Sequence, residues 1–443
     1  MNQLLAGFCR MDLTPEEPVA LGGYGDDASR LSEDILDPIT GTCLALTDEA
    51  DQTVLLLSLD LLLPYSDLVD ALRTRIPAQT GIPAERIMVA TTHTHAAPGF
   101  STMHLESTVR YLEQLAGRMA EAAMTALADR APAKLFIGRT QTEKLSFVRH
   151  YRMENGTYGG DNFGTWDSPI TQHASEADEQ IQLVKFTREG KQDILLMNWQ
   201  AHGKMSSTIT TEFGRAHRRH VSADYIGYAR TELEAQTGNL VIFFSGAAGN
   251  LNPSSRMESE PTPEDPAVYG KLVAQAALPG LAAMEEIPAG AVQVKQKTLT
   301  LPTDHSDDHK VELARSIWAL WTQDQQLCKD TARANGFNSA YAARDVISRS
   351  ESGAERTMTI HTVTVGDLAF VAAPYEMFCA NGQQIKEGSP YAMTVIMSCT
   401  NAYHQYLASD FAFTHGGYEV DSRKYPRGTA EKLVAEFLQM LQK

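Results

Sequence analysis

The sequence predicts a mixed α/β fold, a mixed β-sheet core flanked by helices, on three observations. The run Val54-Leu55-Leu56-Leu57-Ser58-Leu59 is continuously apolar and stops at Asp60, as expected of a strand covered on both faces. A helical segment at 66–75 and a second β-prone run, Ile87-Met88-Val89-Ala90, follow it. Together they form a strand, helix, strand unit whose loops after Leu59 and Ala90 open on one edge of a parallel sheet. Two further apolar runs, 194–199 and 240–244, each end in polar segments, 200–203 and 245–253.

The other elements are justified in chain order. Residues from Ala6 alternate like a strand and lead to the glycine cluster Gly22-Gly23-Tyr24-Gly25, which permits a tight turn or a close approach to a ligand. Apolar residues at helical spacing through Leu112, Leu115 and Met119 predict a helix over 107–130, ended by Pro132. Strands are expected at 134–138, 145–148 and 180–186, around a Gly, Asp and Asn-rich loop at 154–166 that is a candidate pocket rim. Helices are expected at 223–235 and 263–285, the latter kinked or divided by Pro279-Gly280. A strand at 292–301, an amphipathic helix at 309–325 with two tryptophans, a hairpin turning at Gly366-Asp367, a strand at 394–398 and a closing helix at 430–441 complete the chain. No repeat or linker divides it, so residues 1–443 read as a single domain.

Composition limits the function. The 443 residues can bury a large core. A net charge of −17 disfavours nucleic acid and anionic bilayers as partners. The first ten residues lack a basic region and a long apolar core, and no run is long enough to span a bilayer, so a soluble cytoplasmic protein without membrane anchoring is expected. Cys9, Cys43, Cys328, Cys379 and Cys399 are odd in number and lack a CxxC spacing, so free buried thiols are expected.

The chemistry-bearing stretch is Thr92-His93-Thr94-His95-Ala96-Ala97-Pro98-Gly99, directly after the strand at 87–90. Side chains two apart in an extended segment point the same way. Both imidazoles can therefore converge on one ion, or one can bind it while the other faces substrate. The plainer alternative is two polar residues beside a turn. Asp60 has the same two readings: a neighbour of the histidines, or a capping and hydrogen-bonding group.

Five separated pieces together resemble one family, the neutral (alkaline, non-lysosomal) ceramidases, zinc-dependent amidases that cut an N-acyl bond. They are the segment 8–15 with Gly22-Gly23-Tyr24-Gly25, the run Ser58-Leu59-Asp60, the box 93–98, the stretch from Asn198-Trp199 to His202, and the loop 249–253. The resemblance covers the chain from about residue 6 onward and is to the catalytic domain, without the family's C-terminal β-sandwich. It implies zinc held by His93, His202, Glu376 and Tyr406, a set able to leave an open position for activated water. It further implies His95 as an outer-sphere or oxyanion partner, Tyr418, twelve positions after Tyr406, as an oxyanion donor, and Arg149 near the active site.

Two positions depart from the family pattern. Its Asp and Ser in the Gly-Asp-X-Ser-Pro loop are Asn250 and Asn252 here. Asn252 can orient substrate or donate to an oxyanion, but it cannot act as a nucleophile. The expectation is a zinc-dependent hydrolase of a small-molecule carboxamide, not restricted to ceramide. The alternatives are a zinc esterase or deacetylase, and a metal-bearing binding protein that has lost catalysis. A metal-free α/β esterase finds no support, because no Gly-X-Ser-X-Gly elbow occurs.

Overall fold

The computed structural model describes residues 4–24, 30–100, 105–161, 168–211, 214–257, 259–260 and 262–443. Gly25 and positions 162–166 of the expected rim loop lie outside them. Among the described residues, the larger sheet has nine strands. Eight lie in the order β8-β7-β6-β5-β1-β2-β3-β4, where β1 is Leu4–Asp12, β2 Thr40–Thr47, β3 Thr53–Leu59, β4 Ile87–Thr91, β5 Ala131–Gln141, β6 Gln180–Arg188, β7 Ile194–Trp199 and β8 Leu240–Ser245. The short strand Glu285–Ile287 joins β5. The pairs β3–β4 and β7–β8 are parallel and the others antiparallel, so the sheet is mixed as expected.

The two-residue period of a strand explains why β3 is apolar throughout. Leu55, Leu57 and Leu59 pack with Leu72, Ile76, Leu115 and Met119 of helices α1 (Ser66–Thr80) and α2 (Glu106–Ala128). Val54 and Leu56 face the other way, onto a second sheet. That sheet has the order β9 (Val292–Pro302), β10 (Glu355–Val365), β11 (Leu368–Ala372), β12 (Met393–Met397), and it presents Val363, Phe370 and Val395 to the larger one. On the far side of the larger sheet, α3 (Asp224–Thr237) and α4 (Pro266–Ala282) cover β6–β8. The closing helix Thr429–Met440 packs Leu433 and Phe437 on the outer face of the second sheet. The layers run helix, sheet, sheet, helix.

The larger sheet curls until its two ends touch. Ser58 Oγ on β3 donates to the Phe243 carbonyl on β8 at 2.5 Å, and Ser245 Oγ donates to the Thr92 carbonyl at 2.7 Å. Asn198 Nδ2 donates to the carbonyls of Phe244 and Ile396, tying β7 to both β8 and β12.

Several boundaries differ from expectation. Helix α1 continues five residues past Arg75, through Pro77, because a proline near a helix end removes a single amide donor, and Gly81 in the left-handed region (φ +74°) closes the last turn. For the same reason α4 is one helix through Pro279, which lies in its last turn, rather than two. The helix expected over 309–325 stops at Trp318. Asp324 then caps a new helix by accepting the Leu327 N–H, so the segment is Val311–Trp318, Gln325–Ala334 and Ala340–Ser350. The hairpin at Gly366-Asp367 is present, with Gly366 at φ +59°.

Candidate metal centre

His93 and His95 leave the end of β4. His93 sits in the left-handed region at φ +65°, sparsely populated for a residue with a side chain, where its N–H donates to the Leu61 carbonyl at 3.0 Å. The His95 N–H donates to the Gly203 carbonyl at 2.7 Å, joining this loop to the one that follows β7 and carries His202. A side chain at Gly203 would start 3.1 Å from the His93 carbonyl oxygen and the Thr94 Cα, tighter than ordinary contact, so glycine eases this approach. Six places separate β4 from β7 in strand order. A flat sheet would hold their ends about 29 Å apart, yet ligand atoms of His93, His95 and His202 all lie within 4.8 Å of one another. The curl of the sheet assembles the cluster.

The second sheet contributes the acid. After β11 the chain turns at Ala373-Pro374, and Glu376–Met377 pairs in parallel with Tyr406–Leu407, the Glu376 N–H donating to the Gln405 carbonyl at 3.0 Å. Glu376 Oε2 stands 3.3 Å from His93 Nε2 and 3.2 Å from His202 Nε2. The other ring nitrogens face backbone carbonyls: His93 Nδ1 lies 2.8 Å from Leu62 O, and His202 Nδ1 lies 2.9 Å from Ala248 O and 3.0 Å from Leu251 O. Carbonyls accept only, so Nδ1 of both rings carries a proton and Nε2 is the nitrogen turned to the centre.

That centre is electron-rich and under-satisfied. His93 Nε2, both ring nitrogens of His95 and Glu376 Oε2 are buried without a hydrogen-bond partner. Burial opposes a charge on Glu376, but His93 and His202 hold its pKa well below the carboxylate range. Burial likewise opposes protonation of His93, and the Glu376 carboxylate outweighs it and raises that pKa. His202 is lowered to about 4 by burial and then by Arg149. Converging imidazole and carboxylate lone pairs fit a divalent cation.

Arg149 and the tyrosines form one flank. Arg149 Nη2 donates to the Tyr406 hydroxyl at 3.3 Å, and Arg149 Nη1 lies 3.4 Å from His202 Nε2. Its charge is balanced by buried Glu419, at 2.5 Å from Nη2 and 2.6 Å from Nε, and Glu419 also meets His150 Nε2 at 2.7 Å. The Tyr418 ring is 5.6 Å from that of Tyr406. Burial, then Glu376, raises the Tyr406 pKa well above its ordinary value, so in the metal-free chain it is a neutral phenol.

The Asn residues have separate places. Asn250 Oδ1 accepts the Cys379 N–H at 2.9 Å, a structural contact. Asn252, paired through its backbone with Phe147, follows Leu251, whose carbonyl meets the His202 ring, and its side-chain amide donates to Asp161. Asp60 takes its hydrogen-bonding role, held by Arg230 at 2.6 and 2.8 Å and accepting from Thr92 Oγ1 at 3.2 Å. All eight residues named from the sequence are thus buried or half-buried around one region. Tyr403, Glu419, His150 and Cys399, which also belong to it, were not foreseen. Tyr403 and Glu419 stand three and one positions from Tyr406 and Tyr418, and that adjacency was the available signal.

No family model matches the sequence, and no curated protein matches it. Among solved structures, the chain is similar to a neutral ceramidase from Pseudomonas aeruginosa, with a TM-score of 0.73 at 17% identity over 100% of this chain and 74% of that one. It is also similar to a ceramidase complexed with C2, with a TM-score of 0.71 at 15% identity and the same coverage. The protein has a ceramidase-like fold, as the resemblance implied.

Proposed function

We propose that this chain is a metal-dependent hydrolase of N-acyl (carboxamide) bonds, with zinc as its cation and a small-molecule substrate class wider than ceramide. The observation that carries the reading is the meeting of His93 Nε2 and His202 Nε2 within 3.3 Å of Glu376 Oε2, with His93 Nε2 and Glu376 Oε2 left without hydrogen-bond partners at the centre. His93, His202 and Glu376 would hold the cation, with Tyr406 completing the set. When bound, it supplies Lewis acidity toward the substrate carbonyl and lowers the pKa of water at the site.

The chain's own groups do the rest. His95, buried with both ring nitrogens unpartnered, is available to hydrogen-bond the oxygen that becomes negative during attack. Tyr418, as a neutral phenol, donates to the oxygen that becomes negative during attack. Arg149, fixed by Glu419, keeps Tyr406 and His202 in register. Asn252 orients substrate. Among the described residues, no helix is long and apolar enough to cross a membrane.

The test is elemental analysis of wild-type protein beside His202→Ala and Glu376→Ala, followed by assay of N-acyl amides with the same samples. About one zinc per chain, reduced in both variants and accompanied by amide cleavage, is the expected result. A wild-type protein that takes up no metal when zinc is supplied would overturn the reading.

A further inference from the structure

We propose that Asn252 is a hydrogen-bond acceptor for the N–H of a secondary amide, so that the site selects secondary amides over esters and over amides without an N–H. The inference rests on the hydrolase reading above and names its substrate class. Three observations carry it. Asn252 is 1% exposed, and its Nδ2 donates to Asp161. Asp161 lies between two cations, with Oδ2 3.0 Å from Lys204 Nζ and Oδ1 2.6 Å from Arg256 Nε. A carboxylate so placed offers acceptors alone, which obliges the Asn252 amide to turn its NH2 toward Asp161 and its oxygen away. Finally, Asn252 Oδ1 is buried with no hydrogen-bond partner.

The orientation reverses the donor role open to an asparagine at this place in the sequence. Its donors are committed to Asp161, and what remains is a bare carbonyl oxygen on the loop whose Leu251 carbonyl holds the His202 ring. A buried acceptor left unsatisfied penalises any ligand that brings no donor to it. Beside the scissile carbonyl, a secondary amide brings one N–H. An ester and an N-methylated amide bring none.

The experiment uses the zinc-loaded full chain and three probes: N-hexanoyl-p-nitroaniline, its N-methyl derivative, and p-nitrophenyl hexanoate. The ratio of kcat/KM for the N–H anilide to that for the ester is measured in wild type, Asn252→Leu and Asn252→Ala, each checked for folding by its thermal transition. The expected result is a fall of that ratio by about tenfold or more in Asn252→Leu. The wild type should also discriminate against the N-methyl anilide by a factor that Asn252→Leu loses. If Asn252→Leu does not fold, Asn252→Ala, which removes the amide oxygen and adds no other acceptor, supplies the same comparison. Turnover of both the anilide and the ester with ratios unchanged in the folded variant overturns this inference and leaves the hydrolase standing. Turnover of no probe by wild type overturns the hydrolase reading and this inference with it.

Discussion

The Tyr403 hydroxyl donates to Glu376 Oε1 at 2.8 Å, which leaves Oε2 turned to the imidazoles of His93 and His202. One oxygen of the carboxylate is thereby anchored and the other aimed. Outer hydrogen bonds of this kind orient a ligand, and their loss typically weakens metal affinity about ten- to hundredfold. Tyr403→Phe is expected to show that loss in competition with a chromogenic chelator. Unchanged affinity would mean that the backbone pairing of Glu376 with Tyr406 orients the acid unaided.

Metal binding should be visible as stability. Zinc held by the folded chain alone would raise its unfolding free energy by about 2.7 kcal/mol at a concentration 100 times Kd. Denaturant titrations with zinc and with chelator are expected to separate by that order in wild type and to coincide in His202→Ala. A separation that persists in the variant would place the binding elsewhere.

The Arg149–Glu419 pair is buried at both partners, so removing one charge strands the other. Glu419→Gln is expected to cost about 3–5 kcal/mol in chemical denaturation. The double variant Arg149→Met with Glu419→Leu should cost less than the single one, since no unpaired charge is left. A double variant as unstable as Glu419→Gln would point to packing rather than charge as the cause.

His361 and His404 predict a pH dependence. Burial is the main cause in each, with Arg73 near His361 and Lys424 near His404 adding to it, and both pKa values fall from 6.5 to about 4. The folded chain keeps these rings neutral while the unfolded chain protonates them, so stability is full above about pH 6.5 and is lost as pH falls toward 4. Each displacement corresponds to at most about 3 kcal/mol. His361→Asn is expected to flatten the stability profile between those two pH values. A slope identical to that of wild type would remove His361 from the account.

Gly23 lies at φ +124°, and a Cβ there would start 2.7 Å from His95 Nδ1. Gly81, at φ +74°, has open space around it. Both substitutions to alanine carry backbone strain, but Gly23→Ala alone pushes on a site residue. Displacing His95 by even part of an ångström is expected to lower kcat/KM by up to about a hundredfold, with Gly81→Ala near wild type. Equal activity in the two variants would separate His95 from the chemistry.

Much of this architecture was legible in the sequence where a local pattern carries the information. Continuous apolar runs marked β3, β4, β7 and β8, alternation marked β9 and β10, and the runs at β4 and β7 ended just before His93 and His202. Helices α1 and α4 run through Pro77 and Pro279, because a proline's effect depends on how many residues of helix follow it. The segment after Trp318 was misjudged because a new cap at Asp324 restarts the helix, and spacing alone does not register a cap.

By itself, the sequence determined which residue types follow the strands: His93, His95 and His202 after strands of the larger sheet, Glu376 and Tyr406 in the segments that follow strands of the second. Only the tertiary structure decided that they meet. β4 and β7 are six places apart in the sheet, and their histidines come together where the sheet curls on itself, its two ends joined by hydrogen bonds from Ser58 and Ser245 that no local pattern encodes. The structure likewise decided that Asn252 presents its oxygen, since an amide has two faces and only the carboxylate of Asp161, 91 residues away in the chain, selects between them.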